Sequence, residues 1–150
     1  MSTPVDIDVS RPMTASRDAL WDVLDDLSRL ADWLAFAGSV PERSSDRAAP
    51  GVTYTVKPHR FFEPTTHWRI TEVEPQRRQL HTSEMPMFAG VTSEITLEGG
   101  ADGGVRARVQ WRGEPSKLSS RVMRGMFEKQ IRTNWERSLE RLDEVAGGGA

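Results

Sequence analysis

Three consecutive segments decide the fold class: Val91-Thr-Ser-Glu-Ile-Thr-Leu-Glu98, then Gly99-Gly-Ala-Asp-Gly-Gly104, then Val105-Arg-Ala-Arg-Val-Gln-Trp-Arg112. Val91, Ser93, Ile95 and Leu97 alternate with Thr92, Glu94, Thr96 and Glu98. Val105, Ala107, Val109 and Trp111 alternate with Arg106, Arg108, Gln110 and Arg112. Two period-two runs joined by a glycine-rich segment read as an antiparallel hairpin, with one face against a core and the other in water. The same pattern extends upstream. Residues 52–57 alternate through Val52, Tyr54 and Val56, residues 65–74 place Trp68 and Ile70 on one face, and residues 77–84 return after the tight turn at Pro75-Gln76. A weak strand is read at 38–45, ahead of the turn Ala48-Ala-Pro-Gly51.

Before these strands, Val5, Ile7 and Val9 alternate with Asp6, Asp8 and Ser10, a half-buried strand over 4–10 that Pro12 is expected to end. Thr14 or Ser16 can cap a helix carrying Leu20, Val23, Leu24 and Leu27, and Ser28 a shorter one carrying Leu30, Trp33 and Leu34, which Gly38 ends. Downstream, the period changes. Pro115-Ser116 opens a long helix to about Val145, with Phe127, Ile131, Trp135, Leu142 and Val145 on one stripe. Leu118, Val122 and Met126 lie on a face rotated from it, so a bend or a loose first turn is expected at Gly125. The fold class is therefore α+β: an antiparallel sheet of about seven strands, two short helices after the first strand, and a long C-terminal helix covering the apolar face. Residues 1–145 form the expected single domain, and 146–150 a disordered, glycine-rich tail.

Composition narrows the function. The chain has 150 residues, of which 37% are apolar, enough for one core and too apolar for a chain that stays unfolded. Twenty Lys and Arg against 22 Asp and Glu give a net charge of −2, with no basic footprint for nucleic acid. The mild basic bias of Arg106, Arg108, Arg112, Lys117, Arg121 and Arg124 reads as solvated sheet and helix faces, or as a surface that meets an anion. The absence of cysteine excludes disulfides and thiolate chemistry. No apolar run is long enough to span a bilayer, and Asp6 and Asp8 stand where a signal peptide needs basic and then apolar residues, so the expected setting is cytoplasmic. The histidines His59, His67 and His81 have no metal-site spacing, and His67 and His81 are expected on the outer face. No P-loop, GxGxxG or GxSxG occurs, and no cofactor or metal is expected.

The order of elements, with Ala19-Leu-Trp-Asp-Val-Leu24, Asp26-Leu-Ser-Arg-Leu-Ala-Asp-Trp33, Pro50-Gly51, Trp68-Arg-Ile-Thr-Glu-Val-Glu-Pro75, Arg77-Arg78 and Asn134-Trp-Glu-Arg137, resembles the helix-grip fold of the START/SRPBCC superfamily over about residues 4–145. That superfamily includes polyketide cyclases and lipid-transfer domains. The resemblance implies a curled sheet around the last helix, with an apolar cavity between them for a lipid, polyketide or aromatic molecule. The Asn134 region resembles aromatase/cyclases; residues 26–34 and the strand pattern resemble a group of toxin halves of two-gene toxin–antitoxin pairs. In the aromatase/cyclases an inward strand arginine polarises a substrate carbonyl; here Glu72 falls at that position and Arg69 has outward parity.

Parity places Tyr54, Val56, Trp68, Ile70, Leu80, Ile95, Val109 and Trp111 toward the helix, with Phe127, Ile131 and Trp135 facing back. Trp33, Phe36, Phe61, Phe88, Ser93, Met123, Asn134 and Ser138 complete the expected ligand-binding set. The loops at 58–64, 84–90 and 113–116 fall at one end of the sheet, where Phe61, Phe62, Met85, Met87 and Phe88 form either a mouth or a plug. Glu72, by parity an inward carboxyl, is the candidate general acid or base, with Tyr54 and Asn134 to orient a carbonyl or enol oxygen. The leading expectation is binding of a hydrophobic small molecule by a monomer or homodimer, without nucleic acid or integral membrane association. A polyketide cyclase or aromatase is the alternative, and a toxin component the further one.

Overall fold

Alternating residues pair in register across a seven-stranded antiparallel sheet of order β1-β7-β6-β5-β4-β3-β2. The structure, a computed structural model, describes residues 3–60, 63–100 and 103–147. Its strands are β1 (Val5–Met13), β2 (Ser39–Arg43), β3 (Thr53–Lys57), β4 (Thr66–Glu74), β5 (Arg78–Glu84), β6 (Phe88–Gly99) and β7 (Val105–Pro115). The helices are α1 (Arg17–Asp25), α2 (Leu30–Trp33) after a 3-10 turn at Leu27–Arg29, α3 (Leu118–Val122) and α4 (Arg124–Gly147). One rung shows the register: Ile7 faces Trp111, Trp111 faces Ser93, Ser93 faces His81 and His81 faces Ile70. All five are buried on the inner face. On the outer face Arg108 grips Asp8 across β1 and β7, with Nε 2.9 Å from Oδ1, so part of the basic bias is neutralised within the sheet.

The second half of α4 closes the inner face through Trp135, Leu139 and Leu142, all buried. Its far end is fastened by Asp143, whose carboxylate accepts from the Thr14 amide at 3.0 Å, the Thr14 hydroxyl at 3.0 Å and the Ala15 amide at 2.9 Å. Thr14 is thereby committed to the helix, and Ser16 caps α1, accepting from the Ala19 amide at 3.2 Å. A second tie lies further up: the Ser138 hydroxyl accepts from the Ala35 amide at 2.9 Å and donates to the Asn134 carbonyl at 2.7 Å.

Several local expectations are corrected. β1 continues through Pro12 to Met13, which an edge strand tolerates because a proline there removes no hydrogen bond from a second neighbour. Phe88 is the first residue of β6 rather than part of a loop, and the strand bulges after it, with Gly90 at φ +60°. Pro115 ends β7, and the helix starts at Leu118. The helix break falls at Met123, two residues before Gly125, and leaves Leu118 and Val122 75% exposed. α4 runs to Gly147; the rest of the expected tail, 148–150, lies outside the described residues.

Replacing Asp143 with Ala should destabilise the protein by about 3 kcal/mol, because buried amide donors lose a charged acceptor together. Urea unfolding measures this, and Asp143→Asn, which keeps one acceptor oxygen, should lose less.

Candidate functional site

The helix packs on the inner face along its second half; along its first half Arg124 holds it to the Thr3 and Pro4 carbonyls before β1, and it stands away from β3 and β4. There a cavity of about 350 Å³ opens between α4, the ends of β3 and β4, and the segment before β6. That is near the low end of the roughly 300–1,000 Å³ typical of small-molecule sites. Its floor is Phe36, Val56, Trp68, Phe88 and Trp111; α4 contributes Phe127, Ile131, Asn134 and Trp135; Pro58, Pro64, Met85, Pro86 and Met87 form the rim with Arg60 and Glu63. Edge-to-face contacts fix the floor, with Phe88 5.4 Å from Trp111 and 5.5 Å from Phe127 between ring centroids. Trp111 lies folded over Gly113, where an added Cβ would stand 2.7 Å from the indole. The segments at 58–64 and 84–90 do meet at this mouth, and the Ser116 amide donates to the Met87 carbonyl at 3.1 Å, bringing in the third.

Deeper in lies a second, small void of about 10 Å³, lined by Trp33, Leu34, Tyr54, His81, Ser93 and Ile95 among others. Phe36, Trp68 and Trp135 line both spaces and form the partition between them. Beside the void runs a buried chain of hydrogen bonds. The Gln79 amide nitrogen donates to the Leu24 carbonyl at 3.0 Å, which leaves its oxygen facing His81 Nε2 at 2.8 Å. That oxygen can only accept, so Nε2 carries the proton and Nδ1 is bare. Tyr54 Oη, 2.7 Å from Nδ1, is therefore the donor. Burial pushes His81 down from 6.5 to about 4 and raises the Tyr54 phenol, so both are neutral at ordinary pH.

Two expected residues face the other way. Glu72 lies outside, exposed and paired with Arg78 at 3.0 Å, because β4 bulges between Ile70 and Glu72 and shifts the parity. Leu80 pairs with Glu72 on that outer side, while Gln79, His81 and Ser83 face in. His81 is thus an inner-face residue, contrary to the expectation; His67 is exposed, its Nδ1 3.1 Å from the Thr55 hydroxyl. Met123, at the helix break, is 42% exposed and away from the cavity. Ser138 is committed to its two backbone bonds, and Ile70 and Val109 are fully buried core that lines neither space. Phe61 and Phe62 lie outside the described residues. The remaining candidates line the mouth or the void, Asn134 in the mouth and Tyr54 in the void.

The reading missed Gln79 and His81. Extending the register from Ser93 and Ile95 onto β5 would have found them, since those residues pair with His81 and Gln79. Among the described residues no cluster of three or more metal-ligating side chains occurs. A broad, open depression of about 910 Å³ on the outer face is lined by Thr53, Thr55, His67, Arg69, Thr82 and Thr92, with Tyr54 and Trp68 also contributing.

Residues 4–147 match the family described as polyketide cyclase / dehydrase and lipid transport, and the chain belongs to that family. No curated protein matches it. Among solved structures it is similar to the protein of unknown function SA2116 from Staphylococcus aureus, at 13% identity and TM-score 0.79, over 99% of this chain and 96% of that one. It is also similar to the di-domain ARO/CYC StfQ from the steffimycin biosynthetic pathway, at 9% identity and TM-score 0.79, over 97% of this chain and 51% of that one. DynU16 from the dynemicin biosynthetic locus aligns at 20% identity and TM-score 0.69, over 97% of this chain and 48% of that one. At these identities the likeness is one of fold.

Two outcomes follow from the site. Between pH 6.5 and 4 the unfolded chain takes up a proton that buried His81 refuses, so its contribution to stability is complete above pH 6.5 and is lost as pH falls. Urea unfolding at pH 7.5 and 4.5 should therefore show a steeper loss for the native chain than for His81→Asn, by about 3 kcal/mol. Gly113→Ala should push the Trp111 indole into the mouth and cost about 1–3 kcal/mol, read as a lower urea midpoint and a shifted tryptophan emission.

Proposed function

We propose that the protein binds a hydrophobic small molecule in the mouth cavity between the sheet and the first half of α4. The observation that carries this is the cavity itself: aromatic and aliphatic walls, a rim of Met and Pro, and few polar groups. Membership of a family whose description includes lipid transport supports the reading. Native mass spectrometry of freshly purified protein, with titration of fluorescent lipids and polycyclic aromatics, tests it. Saturable binding is expected, weakened at least about tenfold by Ile131→Arg, whose charged head can reach solvent while its stem crosses the mouth. Failure of the whole panel to saturate would remove the reading.

One observation favours a second reading, cyclisation or dehydration of a poly-β-keto chain. Tyr54 and His81 form a buried hydroxyl–imidazole pair at the inner end of the site, a pairing suited to moving a proton during enolisation. The fold likeness to StfQ adds to it. The expected result is turnover of a poly-β-keto thioester that falls about a hundredfold in Tyr54→Phe with substrate affinity kept. Turnover equal to that of the native chain would withdraw it.

A further inference from the structure

We propose that the inner void is a receiving site for one uncharged oxygen, a ketone, enol or hydroxyl, at the leading end of the ligand. The inference rests on the mouth cavity being a ligand site and adds which end of the ligand goes in first and what that end carries.

The first observation is a pair of buried polar atoms without partners. Trp33 Nε1 and Ser93 Oγ have no hydrogen-bond partner among the described residues, although the two residues are only 1% and 2% exposed. Both residues line the void. Buried polar groups are almost always satisfied, so two orphans on one small space mark a place where a polar atom belongs. The neighbouring protons are already committed: that of Tyr54 to His81, that of His81 to Gln79, and the Gln79 amide's to the Leu24 carbonyl.

The second observation is size. The void, about 10 Å³, approximates the roughly 10–15 Å³ needed for one water-sized group. One oxygen fits there.

The third is charge. No lysine or arginine lines the void, and its two titratable residues, Tyr54 and His81, are neutral with their protons placed. An anion there would be buried without a counter-charge. The donor set suits a neutral oxygen. Trp33 can only donate, Ser93 donates and accepts, and the Tyr54 oxygen, its proton given to His81, is left to accept. A ketone takes the indole and serine protons; a hydroxyl takes one of them and returns its own. The apolar remainder of such a ligand passes the shared partition of Phe36, Trp68 and Trp135 into the mouth.

Three naphthalenes of nearly one shape test this: 2-acetylnaphthalene, 2-isopropenylnaphthalene, which replaces C=O by C=CH2, and 2-naphthoate, all titrated at pH 7.5 by calorimetry. The ketone is expected to bind about tenfold more tightly than the alkene, and the carboxylate no better than the alkene. Ser93→Ala and Trp33→Phe should each bring the ketone-to-alkene ratio toward one by weakening the ketone, with alkene binding measured alongside in each variant. The alkene thereby reports whether each variant still forms the cavity, and Ser93→Ala stands alone if Trp33→Phe fails to fold. In the native chain, the indole N–H resonance lost in Trp33→Phe should move downfield with the ketone and not with the alkene. Equal affinity for ketone and alkene, tighter binding of the carboxylate, or a ratio that survives in the folded variants overturns the inference and leaves the cavity reading standing. Failure of all three compounds to bind overturns the inference, and the cavity reading falls with it if the lipid and aromatic panel also fails to saturate.

Discussion

The carboxylate of Asp143 is the contact on which the rest of the architecture depends. It holds the end of α4 against the exit of β1, through the amides of Thr14 and Ala15 and the Thr14 hydroxyl. With that end fixed, Leu142, Leu139 and Trp135 are carried down onto the inner face, and Ser138 ties the helix to Ala35 one turn further up. Beyond that point the helix is tied only along its β1 flank, where Arg124 donates to the Thr3 and Pro4 carbonyls and Arg132 to the Asp8 carbonyl at 3.3 Å. Phe127 and Ile131 are only half-buried, and the space below them is the mouth. Position and opening of the cavity thus follow from the helix being packed onto the inner face at one end and held only along its β1 flank at the other, clear of β3 and β4.

The inner face is not uniformly apolar, and that matters for what it can bind. β5 contributes Gln79, His81 and Ser83, three polar side chains in a row facing the core. Each is bonded: Gln79 to Leu24, His81 to Tyr54 and Gln79, and Ser83 to the His67 carbonyl at 2.6 Å. A satisfied polar row is tolerated in a core and has a direction, because each proton has one place to go. The row fixes the Tyr54 hydroxyl and so leaves its oxygen as an acceptor at the back of the site.

The residues show why some of this was legible in the sequence and some was not. β1, β6 and β7 each have a polar outer face and a mainly apolar inner one, so alternation alone put Ile7, Ile95 and Val109 inside. β5 inverts that cue: its only aliphatic residue, Leu80, faces out, and its inner residues are polar because they serve a hydrogen-bond chain. The bulge in β4 is equally hidden, since nothing in Ile70-Thr71-Glu72 announces it, and it sends Glu72 outward to Arg78. On the last helix the stripe Phe127, Ile131 and Trp135 was readable. Met123 was misplaced because the expected bend at Gly125 kept it on a continuous helix, whereas the chain turns at Met123 itself. The mouth was largely recoverable from aromatic and Met residues, while prolines such as Pro58 and Pro86 carry no periodic signal.

The uneven fastening of α4 also sets a gradient in how readily its backbone opens. Amides near Trp135, Leu139 and Leu142 are shielded by packing and by the Asp143 anchor, so exposing them to solvent exchange requires loss of the whole sheet–helix interface. Those from Leu118 to Met126 lie on a short helix, a turn and the first residues of α4, with side chains such as Leu118 and Val122 already in water. Their hydrogen bonds can break and re-form without disturbing the core. Phe127, the first α4 residue to line the mouth, follows directly on that segment, so local opening beside the cavity is decoupled from the stability of the fold.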